Sequence, residues 1–216
     1  MSLKKVAKRL QKLRQGLVER EIDAALISQP ENRYYLSGFN GSAGFLLITL
    51  QEAVLATDFR YTEQAKMQAP EYQLLQITGD ITDWLPRLLA DFNLSRLGFE
   101  AGHVPFTMYQ QLTDTLAKVE YPPELVPVDG LVEALRARKE PEEIELITRA
   151  TEITLSAFEY LKDAVHVNMT EKELAWDIEK FLREKGSEAL PFDVIVASGP
   201  NSALPHARPS SRAIGT

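Results

Sequence analysis

The 216-residue sequence contains no cysteine and no long apolar run. Without cysteine the chain cannot form disulfide bonds, thiolate zinc sites or a cysteine nucleophile. A membrane-spanning helix requires roughly 20 consecutive apolar residues, and no stretch of the sequence approaches that length. We therefore expect no membrane contact and, because a cysteine-free chain suits a reducing compartment, a cytoplasmic location.

Positive charge is also in short supply. The 24 lysines and arginines are outnumbered by 31 acidic residues, which gives a formal net charge of −7. Nucleic acids and anionic membranes are bound by clustered basic side chains, so this balance argues against both as partners. Basic residues crowd the first twenty positions, as they do in transit peptides. The apolar residues among them nevertheless recur at helical spacing, which favours an amphipathic helix over a targeting signal: Leu3, Val6, Leu10, Leu13 and Leu17.

The common catalytic motifs are missing as well. The sequence has no H-E-x-x-H zinc helix, no G-x-S-x-G nucleophile elbow and no glycine-rich phosphate loop. Its three histidines, His103, His166 and His206, lie far apart. We interpret His103 and His166 as structural residues and return to His206 below.

The sequence does hold enough apolar material for a hydrophobic core. Hydrophobic residues make up 44% and charged residues 25%, which is the range of globular proteins. Up to residue 128 short extended patterns alternate with helical ones, and this alternation predicts a layered α/β fold. The predicted strands cover 23–28, 43–49, 53–57, 72–78, 96–100 and 124–128, and the later helices 61–68, 81–91 and 105–119. No element is predicted where Pro30, Asn32 and Gly38 punctuate the chain.

The pattern changes near residue 130, where we predict a domain boundary that divides the chain into 1–130 and 131–216. Pro141 and the acids after it indicate a helix start, and Thr170 with Glu173 forms a capping-box pattern at a second start. The apolar run at 192–198 then predicts a strand.

His206 lies in the loop that follows this predicted strand. Pro205 and Pro209 stiffen the backbone around it, and loops at strand ends often carry function. From the residues alone, His206 is as compatible with a satisfied surface position as with a catalytic one.

Several segments in order resemble one enzyme family. The stretch F-D-V-I-V-A-S-G-P-N-S-A-L-P-H-A-R-P, preceded by R-K-E-P-E-E-I-E-L-I and M-T-E-K-E-L, resembles the start of the pita-bread domain of Xaa-Pro dipeptidases (prolidases) and aminopeptidases P. Upstream, Y-Y-L-S-G-F-N-G-S-A-G and A-T-D-F-R-Y-T-E-Q-A are similar to the amino-terminal domain of that group. The resemblance runs from about residue 5 to 216. It implies a creatinase-like domain with a mixed sheet flanked by helices, followed by an incomplete α+β pita-bread domain.

The resemblance implies a metallopeptidase that hydrolyses the bond preceding proline in small peptides with proline at the second position. In the family two aspartates, a histidine and two glutamates hold a pair of divalent metal ions, commonly manganese, cobalt or zinc. The matching segments end before those ligands. We therefore expect that no residue of this chain binds metal and that the 216 residues alone are inactive.

The resemblance also implies roles for three residues. His206 corresponds to a histidine that hydrogen-bonds the substrate carbonyl or the tetrahedral intermediate. Arg60 and Tyr61, in D-F-R-Y, are candidates to reach the active site of a neighbouring subunit in a homodimer. Their alternative interpretation is an Asp58–Arg60 structural pair beside a packed tyrosine.

Two other functions remain open at this point. A creatinase-like amidinohydrolase shares the architecture and the histidine but needs no metal. A non-catalytic binding or scaffold protein could retain only this region. Against the scaffold interpretation stands the apolar surface after residue 131, notably at Leu155 and Phe158, which we expect to be left exposed.

Overall fold

The computed structural model describes residues 3–190 and 192–215 of the chain. They fall into two packing units, Met1–Arg138 and Lys139–Thr216. Our predicted domain boundary lies near residue 130, whereas the first packing unit extends to Arg138. The reason is that its last helix, Leu131–Ala137, packs against its first helix, Leu3–Glu19. Among the described residues no helix is long and apolar enough to cross a membrane.

A six-stranded sheet forms the centre of the first unit, in the order β4-β3-β2-β1-β5-β6. Strand β2 runs antiparallel to both of its neighbours, and every other adjacent pair is parallel. This confirms the predicted mixed sheet. The strands are β1 (Ala24–Ile27), β2 (Phe45–Thr49), β3 (Ala53–Thr57), β4 (Gln73–Gln76), β5 (Arg96–Glu100) and β6 (Glu124–Val128).

Strands β1, β2 and β3 are apolar because both of their faces are covered. Successive residues of a strand point to opposite faces, so Ala25 and Ile27 enter one core cluster while Ala24 and Leu26 enter the other. The β2–β3 turn is closed by Thr49, whose hydroxyl accepts the Glu52 amide at 2.8 Å. The two strands thus form an antiparallel hairpin.

Within 3–138, six helices and one short 3₁₀ turn surround the sheet. The first core cluster lies under α1 and α6, where Leu13, Leu17 and Val132 are buried, and the second lies under α4 and α5 around Trp84 and Leu112. The helices are α1 (Leu3–Glu19), α2 (Pro30–Ser37), α3 (Thr62–Gln68), α4 (Ile81–Leu89), α5 (Phe106–Leu116) and α6 (Leu131–Ala137), and the 3₁₀ turn is Phe59–Tyr61.

Helix α2 is an element of the first unit that our predictions omitted, as they omitted α6 and the 3₁₀ turn. Pro30 occupies its first turn, and Gly38 ends it in the left-handed region with φ of 80°. Proline at the start and glycine just past the end are helix signals, so the punctuation of this stretch marked a helix instead of a connection.

The second unit contains two helices, α7 (Pro141–Ala164) and α8 (Glu171–Glu184). Both predicted starts are confirmed, including the capping box in which Thr170 and Glu173 bond reciprocally. The helices meet through the stacked rings of Tyr160 and Phe181, whose centroids are 4.5 Å apart. The other side of α7 is exposed, as expected, with Leu155 60% and Phe158 61% accessible.

The strand predicted for 192–198 is wrong. Within 139–190 and 192–215 the structure has no β-strand, only an isolated bridge between Thr170 and Ala213. A strand is defined by ladder hydrogen bonds to a neighbour, and these residues have no neighbouring strand in the described part of the chain. The amide of Ser198 bonds instead to a buried carboxylate, that of Glu171.

Candidate functional site

His206 lies at the tip of the loop 198–210 in the second unit. The loop begins with a 3₁₀ turn, Gly199–Ala203, and continues through a second turn at Pro205 and His206. The imidazole is exposed and has no hydrogen-bond partner among the described residues. It is therefore available to another molecule, while its neighbour Ala207 is buried.

Both ends of this loop are tied to one side chain, that of Glu171. Its Oε1 accepts hydrogen bonds from the Ser198 amide at 2.7 Å and the Ser198 hydroxyl at 3.0 Å. Its Oε2 accepts the Ser210 amide at 3.0 Å and the Ser210 hydroxyl at 2.7 Å. The side-chain amide of Asn201 donates to both oxygens at 3.1 Å.

Glu171 is ionised because these donors favour the carboxylate. It is fully buried, and burial raises the pKa of a carboxyl group. The hydrogen bond from the Ser210 hydroxyl, followed by the other donors of the loop, outweighs this effect and lowers the pKa of Glu171 to about 2.

The start of α8 fixes the far end of the loop through its backbone. The amide of Glu171 donates to the Arg212 carbonyl at 3.0 Å, and that of Lys172 donates to the Ser210 carbonyl at 3.1 Å. The first amides of a helix have no partner inside it, so the segment that follows the loop satisfies them.

Arg60 and Tyr61 lie in the first unit, in the 3₁₀ turn that follows β3. The guanidinium of Arg60 donates to both carboxylate oxygens of Asp58, at 2.9 and 2.8 Å, and the Arg60 amide donates to Asp58 at 2.9 Å. These bonds lower the pKa of Asp58 and raise that of Arg60. The Asp58–Arg60 pair of our alternative interpretation is thus present, and 59% of the Arg60 side chain remains accessible.

Tyr61 is held from two sides. Its hydroxyl lies 2.6 Å from the Ser42 hydroxyl, and its ring meets the edge of Phe39 with centroids 6.0 Å apart. The Arg60 guanidinium carbon lies 5.4 Å from the Tyr61 ring centre. The two candidates are therefore one packed pair.

Arg60 also borders a cleft of about 570 Å³ at the carboxyl ends of β3 and β4. Its wall includes Trp84 from α4 and Met108 from α5. The cleft combines an apolar wall with one cation, Arg60, and two carboxylates, Asp58 and Asp80.

The other two histidines show no sign of chemistry. His103 is exposed in a turn after β5, and His166 is exposed after α7 with its Nδ1 3.1 Å from the Val167 carbonyl. Throughout 3–190 and 192–215, no group of three or more histidine, aspartate or glutamate side chains could hold a metal ion. The described residues thus do not fit a metal pair.

Sequence reasoning did not single out Glu171. The capping-box pattern drew attention to Glu173, two residues later, and nothing in T-E-K-E-L distinguishes a buried glutamate from an exposed one. The one available signal was the pair of serines and the asparagine in the nearby loop, which are potential donors without an evident acceptor.

Comparison with known families accounts for both units. The Creatinase/Prolidase N-terminal domain matches residues 9–138, and Metallopeptidase family M24 matches residues 145–216. Together these matches cover almost the whole chain.

Individual relatives agree with this result. The sequence is 35% identical over 206 residues to the peptidase YqhT of Bacillus subtilis, and 30% identical over 207 residues to an Xaa-Pro dipeptidase of Pyrococcus furiosus. Each alignment covers 95% of this chain and 57% of the relative. The chain thus spans less than two thirds of the length of these relatives.

Solved structures superpose on the same extent. The Xaa-Pro dipeptidase from Bacillus anthracis matches with a TM-score of 0.89 and 34% identity, covering 98% of this chain and 58% of that one. The X-Pro aminopeptidase from Thermotoga maritima matches with a TM-score of 0.82 and 32% identity, covering 95% and 57%. The chain therefore belongs to the creatinase/prolidase family, with its amino-terminal domain followed by a segment of the M24 metallopeptidases.

Proposed function

We propose that these residues form the amino-terminal portion of a cytoplasmic, metal-dependent Xaa-Pro peptidase, either a dipeptidase or an aminopeptidase P. The observation that carries the proposal is the exposed, unengaged His206 on a loop whose two ends are anchored. Support comes from a relative named as an Xaa-Pro dipeptidase, which aligns with 95% of the chain, and from the M24 match, whose residues 145–216 include this loop. Its substrates are small peptides with proline in the second position.

The chemistry of proline explains why such an enzyme exists. The bond before proline is an imide without an N–H, and the ring restricts the backbone around it. A peptidase that relies on the amide hydrogen of its substrate handles this bond poorly. A dedicated site must therefore recognise the carbonyl side of the bond.

His206 supplies that recognition in our proposal. Its imidazole donates a hydrogen bond to the scissile carbonyl and to the oxyanion of the tetrahedral intermediate. A positioned donor of this kind typically contributes about 10²–10³-fold to the rate.

The metal ions are assigned to other residues. Because the described side chains do not fit a metal pair, no step of the reaction is attributed to a metal held by these residues. We propose that the ligands lie in sequence that the longer relatives have and these 216 residues lack. The 216 residues alone are then inactive.

The two units correspond, in this proposal, to the two domains of the family. Roughly the first 130 residues form the creatinase-like domain, and the remainder begins the pita-bread domain. Within a homodimer, Arg60 and Tyr61 of one subunit face the substrate site of the other, and the 59% accessibility of the Arg60 side chain supports this role.

Replacing His206 tests the proposal. In a polypeptide that begins with this sequence and has the length of the relatives, His206→Ala should lower kcat on a Xaa-Pro peptide by about 10²–10³-fold. His166→Ala, at another exposed histidine of the same unit, is the matched control and should leave kcat unchanged. Equal rates for the two variants would remove His206 from the reaction.

A further inference from the structure

We infer that Glu171 is a positioning residue, which fixes His206 by clamping both ends of the loop 198–210. This inference rests on the proposed function, because it gives His206 its role. It concerns a residue that never touches the substrate and acts only through the loop.

The clamp closes the loop from one point. Ser198, where the loop begins, and Ser210, where it ends, each donate a backbone and a side-chain hydrogen bond to the same carboxylate, at 2.7–3.0 Å. Asn201 inside the loop donates to both carboxylate oxygens at 3.1 Å. Glu171 therefore holds both ends of the segment that carries His206.

Hydrogen bonds hold the loop in place, with little help from apolar packing. Besides those to Glu171, they include the bond from the Lys172 amide to the Ser210 carbonyl and the bond from the Ala207 amide to the Leu204 carbonyl, both at 3.1 Å. Leu204, Pro205 and His206 are exposed, and the residues before the loop form no strand. Ala207 is the one buried apolar residue of the loop. The conformation of the loop must then depend on its hydrogen bonds, and the largest set of these converges on Glu171.

A carboxylate suits this position better than any other side chain. Both of its oxygens accept hydrogen bonds, and each faces at least three donor contacts. A glutamine would turn an NH₂ group, itself a donor, toward the amide and hydroxyl of one serine. An aspartate has the charge but is one methylene shorter and cannot reach both serines from the same backbone position.

Glu171 has no part in capping α8, so its role can be separated from helix stability. The cap is made by Thr170 and Glu173, whose Oε2 accepts the Thr170 amide at 2.8 Å. Glu173 lies in the same first turn, carries the same charge and does not contact the loop. It is a matched control.

The test uses the 216-residue chain labelled at histidine and at backbone amides. In NMR spectra, Glu171→Gln should shift and broaden the ring signals of His206 and leave those of His103 unchanged. It should also accelerate amide exchange by about tenfold or more, the effect of losing a hydrogen bond, at whichever of Ser198 and Ser210 faces the new NH₂ group. Glu173→Gln should leave the His206 signals and both serine amides as in the unaltered chain. Unchanged His206 signals in a folded Glu171→Gln variant would overturn the inference.

If Glu171→Gln prevents folding, Ser210→Ala decides the question. It removes one donor hydroxyl and keeps the backbone bond, so the clamp is loosened without being lost. A shifted His206 signal then supports the clamp, and an unshifted one overturns it. None of these signals requires peptidase activity. Failure of the clamp, seen in the NMR spectra, can therefore be distinguished from failure of the proposed function, seen in the kinetics of His206→Ala.

Discussion

Glu171 is a buried anion stabilised by neutral groups. The groups that lower its pKa are the hydroxyl and amide of Ser210, the amide of Ser198 and the side chain of Asn201. Such an arrangement looks like any other glutamate in a sequence, because neither its burial nor its donors are adjacent to it along the chain. That is why Glu171 could not be singled out from the sequence, whereas His206 could be named as a candidate from the motif around it.

The lowered pKa of Glu171 predicts acid sensitivity. The folded pKa of about 2 lies below the ordinary value of 4.5, so the carboxylate stabilises the folded chain at a pH above about 4.5. This stabilisation is lost as the pH falls from about 4.5 toward 2, since protonation then favours the unfolded chain.

Urea unfolding of the 216-residue chain at several pH values measures the effect. The unfolding midpoint of Glu171→Gln should change less between about pH 6 and pH 3 than that of the unaltered chain, because the substituted residue does not titrate. Glu173→Gln keeps the buried carboxylate but removes another one, whose pKa is lowered by the Thr170 amide and hydroxyl, so the two variants together assign the pH dependence to one carboxylate or the other. Identical pH profiles for the Glu171 variant and the unaltered chain would show that this carboxylate is not the titrating group.

Arg60 presents the opposite case, an exposed charge whose pairing gives little stability. Its partner Asp58 precedes it by two residues, and solvent screens such a pair. We predict that Arg60→Ala leaves the unfolding midpoint unchanged but raises the KM of the dimeric, full-length peptidase by about tenfold, the scale of one charge-assisted contact. Arg87→Ala, an exposed arginine on α4, should change neither quantity. An unaltered KM would leave the structural pair as the whole role of Arg60.

Among the elements, those with strong periodicity were predicted and those defined by distant partners were not. The strands of the central sheet are apolar runs between turn residues, and their positions follow from that pattern. Residues 192–198 are equally apolar but lack a neighbouring strand in the described part of the chain. Hydrogen-bond ladders depend on the rest of the fold, which periodicity does not contain.

Helix α8 offers a test at this scale, because its cap is local. The Thr170 hydroxyl accepts the Glu173 amide at 3.2 Å. Thr170→Ala should destabilise the second unit by about 1 kcal/mol, the usual contribution of such a cap. Thermal or urea unfolding would measure the loss, and Thr170→Ser, which keeps the hydroxyl, should restore most of it. An unchanged free energy of unfolding in Thr170→Ala would mean that the cap is redundant.

At the scale of the whole molecule, the family and the order of its parts were readable from sequence, since they depend on motifs distributed along the entire chain. The exposed face of α7 agrees with our proposal that these residues belong to a longer protein. Leu155 and Phe158 are more than half accessible, and an apolar surface of this kind calls for a cover. We expect the remainder of the longer protein to provide it.

We propose that this chain begins an Xaa-Pro metallopeptidase, and an assay of peptide cleavage is the direct test. A polypeptide that starts with this sequence and has the length of the relatives is loaded with manganese and given Ala-Pro and a Xaa-Pro-Yaa tripeptide. We predict hydrolysis of the bond before proline in at least one of them, and its loss when the metal is removed by a chelator. If both peptides remain uncut, whether or not creatine is hydrolysed, the peptidase assignment is contradicted.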